Sequence, residues 1–76
     1  MYILSQDKKT LMEFGRIEVS RNLTTNKDER IALCAWSRAL TSTMTVGLYP
    51  DEEAAYAELR RIIDALNAGA AVYEIN

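Results

Sequence analysis

The sequence predicts an α+β domain: an antiparallel meander of about five strands, one amphipathic C-terminal helix packed on the sheet, and a short final strand. Three observations carry this reading. Apolar and polar residues alternate with a period of two in several segments before residue 50. One later stretch, Asp51 to Gly69, carries its apolar residues at spacings of three and four. The 76 residues form a single domain, 1–76, with no linker, internal repeat or low-complexity segment to divide it.

The elements follow in chain order. Tyr2-Ile3-Leu4 and Leu11-Met12-Glu13-Phe14 flank the polar SQDKK, the arrangement of a hairpin. Gly15 breaks the run, after which Ile17 and Val19 alternate with Arg16, Glu18 and Ser20, as in a strand with one wet face. NLTTNKDE reads as the longest loop. From Arg30 to Ser37 the chain is apolar on both faces, with Ile31, Leu33 and Ala35 on one side and Ala32, Cys34 and Trp36 on the other. A three-turn helix competes for this segment, because Ala and Leu are good helix formers. A strand is favoured for its length and for the strand that follows, where Met44, Val46 and Leu48 alternate with Thr43, Thr45 and Gly47.

The helix begins at Asp51, an N-cap whose carboxylate accepts from free backbone N–H groups, with Glu52 and Glu53 against the positive end of the dipole. Pro50 lies just outside it. Asn67 and Gly69 tolerate the left-handed turn that ends helices. Ala55, Tyr56, Leu59, Ile62, Ile63 and Leu66 make one apolar stripe, while Glu58, Arg60, Arg61 and Asp64 are assigned to the wet side. AAVYEIN then supplies the last strand.

Both ends carry a resemblance. MYILSQDKKTLMEF resembles the start of a family of small uncharacterised bacterial and phage proteins that commonly open with an ILSQDGKT-like hairpin. VGLYPDEEAAYAELRRI is similar to that family's LGxYxTEExAxxxLxxI segment, with Gly47, Tyr49, Asp51, Glu53, Ala55, Leu59 and Ile62 on matching positions, and VYEI looks like its terminal strand. Lys8 stands where the family usually has a turn glycine, and the segment from Arg16 to Met44 carries no match. The resemblance implies strands plus one helix, and no activity.

Composition narrows the function classes. Nine basic and eleven acidic residues give a net charge of −2, and the scattered cations, Arg60 and Arg61 included, leave no nucleic-acid footprint. No window approaches the ~20 apolar residues of a membrane span. In MYILSQDKK the basic residues follow the apolar ones, the wrong order for a secretion signal, so a cytoplasmic location is expected. With no histidine and a single cysteine, an internal disulfide and a structural zinc site are both excluded. A catalytic base would have to be Lys8, Lys9, Lys27 or a carboxylate, and turn and strand propensity account for the hydroxyls of Thr41, Ser42 and Thr43. Asp51, Glu52 and Glu53 point in different directions on a helix and cannot converge on one ion. Gly15, Gly47 and Gly69 form no phosphate loop. The expectation is a protein without catalytic residues, metal or cofactor.

One helix covers one sheet face, here Ile17, Val19, Ile31, Leu33, Met44, Val46 and Leu48. The other face holds Glu18, Thr43 and Thr45, but also Cys34 and Trp36. Burying a tryptophan removes about 150–250 Å² from water, roughly 4–6 kcal/mol gross at about 25 cal/mol per Å². A strand apolar on both sides wants cover on both sides. The candidates, in order, are a second copy of the chain, the long loop, a different protein partner, and a small apolar ligand. Cys34 and Trp36 are the predicted binding residues, and the predicted function is a non-enzymatic, homodimeric interaction or accessory module.

Overall fold

The computed structural model describes residues 1–38 and 43–76. In chain order the elements are β1 (Tyr2–Leu4), β2 (Leu11–Arg21), a 3₁₀ turn (Lys27–Glu29), β3 (Ile31–Ser37), β4 (Thr43–Tyr49), α1 (Glu52–Asn67) and β5 (Val72–Glu74). The strands make one five-stranded sheet in the order β4-β3-β2-β1-β5. The fold is α+β, as expected, and the doubly apolar segment from Ile31 is a strand.

The sheet is mixed, which corrects the antiparallel meander. Pairs β1–β2, β2–β3 and β3–β4 are antiparallel, but β5 lies parallel to β1, with Tyr2 opposite Val72 and Leu4 opposite Glu74. A parallel pair needs a long crossover, and α1 is part of it, carrying the chain from one edge of the sheet to the other. Tyr2 N donates to Ala71 O (2.9 Å) and Ile75 N to Leu4 O (3.0 Å), which frame the pair.

Gly15 ends nothing: β2 runs through it as one 11-residue strand. The register against β3 shifts between Phe14 and Arg16, so the glycine is the extra residue of a bulge. A side chain there would meet Arg38 Cγ at 2.8 Å. A second shift, between Leu33 and Cys34, leaves Val46 as the extra residue of β4. This shift corrects the predicted alternation. Gly47 and Tyr49 fall opposite Leu33 and Ile31 on the core face, and Leu48 falls opposite Ala32 on the outer one.

The turn after β1 reaches across the molecule to β4, so the sheet curls. Gln6 N donates to Val46 O at 2.7 Å. The Gln6 side chain then accepts from Leu48 N (2.8 Å) and donates to Leu48 O (3.2 Å), pairing with the edge of β4 as a further strand residue would. Lys8 adopts the left-handed conformation at φ 66, the geometry for which a glycine is the easier residue. Asp7 stiffens the turn by accepting from Ser5 Oγ (2.6 Å) and Lys9 N (3.0 Å), which hold its carboxyl below the ordinary range.

In α1, Asp51 Oδ1 accepts from Ala54 N at 2.8 Å. The other end closes with Ala70 N on Ala65 O (3.0 Å), Gly69 N on Leu66 O (3.1 Å) and Gly69 at φ 76, a Schellman turn. The core joins Ile3, Ile31, Leu33, Ala35, Val46, Tyr49, Ala55, Ile62 and Ile75. The buried line of the helix is Ala55, Glu58 and Ile62, whereas Tyr56, Ile63 and Leu66 are exposed. The predicted stripe is therefore rotated: its centre lies on Glu58, a residue that the sequence pattern places on the wet side.

This rotation gives a test by urea unfolding. Ile62→Ala empties a packed site and is expected to cost about 2–5 kcal/mol. Ile63→Ala, one position on, should cost less than about 0.5 kcal/mol. Equal losses would return the helix to the orientation of the sequence reading.

Candidate functional site

The predicted binding residues lie together on the outer sheet face. Across β2, β3 and β4 the register aligns Arg16, Trp36 and Thr43 in one row and Glu18, Cys34 and Thr45 in the next. The bulges set these rows, since without the extra residue at Gly15 the side chain of Arg16 would take the core side. Arg16 Cζ lies 4.3 Å from the centroid of the Trp36 ring, a cation–π contact. Arg16 Nε also meets Glu18 Oε1 at 3.3 Å. Trp36 is half-buried under this cover, and among the described residues its indole N–H finds no acceptor.

Cys34 is a free, partly buried thiol. Its Sγ lies 3.6 Å from Ser20 Oγ and 3.9 Å from Thr45 Oγ1. The long loop folds on itself: Asn22 N and Nδ2 bond the carbonyls of Arg30 and Glu29 (both 2.8 Å), and Asn26 Oδ1 accepts from Asp28 N (2.9 Å). Of the hydroxyls weighed for catalysis, Thr41 and Ser42 lie outside the described residues, and Thr43 Oγ1 donates to Ala35 O (3.2 Å).

Sequence reasoning missed a second cluster, built on the core side of the helix. Glu58 has no solvent exposure. Its Oε1 accepts from Asn76 N (3.0 Å), Arg61 Nη2 (3.2 Å) and Tyr49 Oη (3.4 Å), and its Oε2 accepts from Tyr73 Oη. A buried carboxylate is tolerated only with such partners. The enclosing segments are the end of β4, the next turn of α1, and β5 with the residues after it. Gly47 makes room for the phenol: a Cβ there would lie 2.6 Å from Tyr49 Oη.

Burial, then the Glu58 charge, pushes the Tyr49 hydroxyl well above its ordinary value, and burial with the bond to Glu58 raises Tyr73. Two phenols held protonated against one carboxylate form an arrangement in which both hydroxyls and both carboxylate oxygens are engaged with one another. The signal that could have found it was spacing. Glu58 is three after Ala55 and four before Ile62, so it must lie on their face.

Compared with known proteins, no family model, no curated protein and no solved structure matches the chain. No described helix is long and apolar enough to cross a membrane.

Two expectations follow from the Glu58 cluster. Glu58→Ala leaves the buried Tyr49 hydroxyl and the half-buried Tyr73 hydroxyl without their acceptor and should cost about 1–3 kcal/mol in urea unfolding; a loss below about 0.5 kcal/mol would make the cluster incidental. The second concerns alkaline pH. Tyr49 holds its proton more tightly in the folded chain than in the unfolded one, which releases it near pH ~10. Its stabilisation is complete below about pH 10 and is lost as pH rises from there through the higher native value. Stability measured between about pH 9 and 12 should fall with a steeper slope in the parent than in Tyr49→Phe; parallel curves would refute the assignment.

Proposed function

We propose that this chain is a non-enzymatic interaction module of a bacterial or phage cytoplasm, and that it self-associates through the outer sheet face carrying Cys34 and Trp36. The carrying observation is the composition of that face. The half-buried Trp36 and Cys34 are flanked there by one exposed cation, Arg16, and one exposed anion, Glu18. A patch with both charges beside an apolar centre is complementary to itself under a two-fold axis. Arg16 of each copy then meets Glu18 of the other, while the tryptophan regions pack at the centre. The setting rests on the resemblance of the two ends to small bacterial and phage proteins. The non-enzymatic reading is supported by the Glu58 cluster, whose buried carboxylate is fully engaged with the protein's own donors.

The second reading, a small apolar ligand beneath the long loop, meets a cleft whose walls carry Arg21, Arg30, Asp51 and Glu52. Charged walls of that kind do not favour an apolar occupant.

Sedimentation across a micromolar range tests the first reading. The parent should move from monomer to dimer with concentration. Glu18→Arg sets like charges across the axis and should weaken the dimer by about tenfold or more, as loss of close charge pairs does. Arg16→Glu combined with Glu18→Arg exchanges the signs and should restore it. A parent that stays monomeric throughout, or a Glu18→Arg variant that dimerises unchanged, overturns the proposal.

A further inference from the structure

The end of β2, the loop after it and the start of α1 enclose an open cleft of about 470 Å³, within the range of small-molecule sites. Arg21 and Arg30 form one wall. They are brought together by the β2–β3 register, in which Arg21 lies opposite Ile31, and by the bond from Asn22 N to Arg30 O at 2.8 Å. Among the described residues neither guanidinium has an ion pair or a hydrogen bond.

The acids across the cleft are differently placed. Asp51 Oδ1 is taken up by Ala54 N at 2.8 Å, which also fills the helix N-terminus, and Glu52 Oε2 accepts from Tyr56 Oη at 3.3 Å. Each acid is thus engaged within the first turn of its own helix, whereas the two guanidiniums have no partner among the described residues. Apolar surface completes the site, with Pro50 on one side and Leu23, 99 % exposed, at the rim.

We infer that this cleft binds a small organic oxyanion, with the charged group between Arg21 and Arg30 and the apolar body against Leu23 and Pro50. Guanidinium forks match the two oxygens of a carboxylate or phosphate, and such charge-assisted bonds are the strong ones. A leucine fully in water gains by covering the ligand's apolar part. The site is independent of the proposed dimer: Arg21 is five residues along β2 from Arg16, about 17 Å at ~3.4 Å per residue.

The test is an NMR titration of the ¹⁵N-labelled chain at constant ionic strength, with inorganic phosphate, phenyl phosphate and benzoate as probes. Saturable shifts are expected at the amides of Asn22, Leu23 and Thr24 and at the Arg21 and Arg30 Nε–H groups. Phenyl phosphate should bind more tightly than inorganic phosphate, and Leu23→Ala should remove that difference. The stronger of phenyl phosphate and benzoate identifies the anion chemistry. Arg21→Gln and Arg30→Gln, both at exposed positions, should each weaken binding by about tenfold, the loss of a hydrogen bond to a charged group. No saturable shift by ~10 mM, or an affinity in both arginine variants unchanged from the parent chain, overturns the inference.

Discussion

The fold depends on one demand: the carboxylate of Glu58, without solvent, must be given hydrogen bonds by the protein. The groups that meet it come from three places in the chain: Tyr49 at the end of β4, Arg61 one turn along the helix, and Tyr73 with Asn76 in the last segment. A rotation of α1 by one residue is about 100° and would take the carboxylate away from all of them. The apolar contacts do not supply this discrimination, because the helix has apolar residues on a wide arc and could bury Tyr56, Ile63 and Leu66 as readily as Ala55 and Ile62. Exchanging a buried polar cluster for apolar packing is often neutral or stabilising. What the Glu58 cluster contributes is a single orientation.

That orientation reaches into the sheet. Tyr49 can meet Glu58 only if it faces the core, and the bulge at Val46 turns it there. Its ring then occupies the space a side chain at position 47 would need, which is why a glycine stands two residues before the tyrosine. The same bulge puts Leu48 on the outer face and lays the Val46 carbonyl and the Leu48 amide open to Gln6. The pairing of Gly47 with Tyr49 thus has a mechanical reason. So does VYEI, whose tyrosine completes the carboxylate's shell.

Much of this was readable from residues, and the failures share a cause. The helix and its limits followed from Asp51, Pro50, Asn67 and Gly69 because caps are local chemistry. The strands followed from alternation. The bulges at Gly15 and Val46 broke the alternation by one residue each, and a period-two pattern has no means of announcing a missed step. The parallel seat of β5 depends on where a crossover lands, which three residues cannot encode. Glu58 defeats a reading by residue type, because a carboxylate suggests solvent while its position demands the core. Its spacing from Ala55 and Ile62 placed it on the buried face, and the two phenols able to receive it lay at the ends of the flanking strands. Cys34 and Trp36 do share the outer face, as the alternation of β3 required, and the cation over the indole could not be foreseen without the bulge that turns Arg16 outward.

The cluster also bears on association. A domain of this length has a thin core, and here the centre of α1 is held by a polar network while Tyr56, Ile63 and Leu66 of the same helix stay partly exposed. Binding to the folded state alone adds stability in proportion to the logarithm of partner concentration over the dissociation constant, about 2.7 kcal/mol at a hundredfold excess. That increment is large beside the roughly 3–5 kcal/mol a core of this size supplies. A second copy on the Trp36 face would therefore act as a structural element of the fold, and thermal stability should depend on protein concentration, rising with it in the parent and losing that dependence once Glu18 is replaced by Arg.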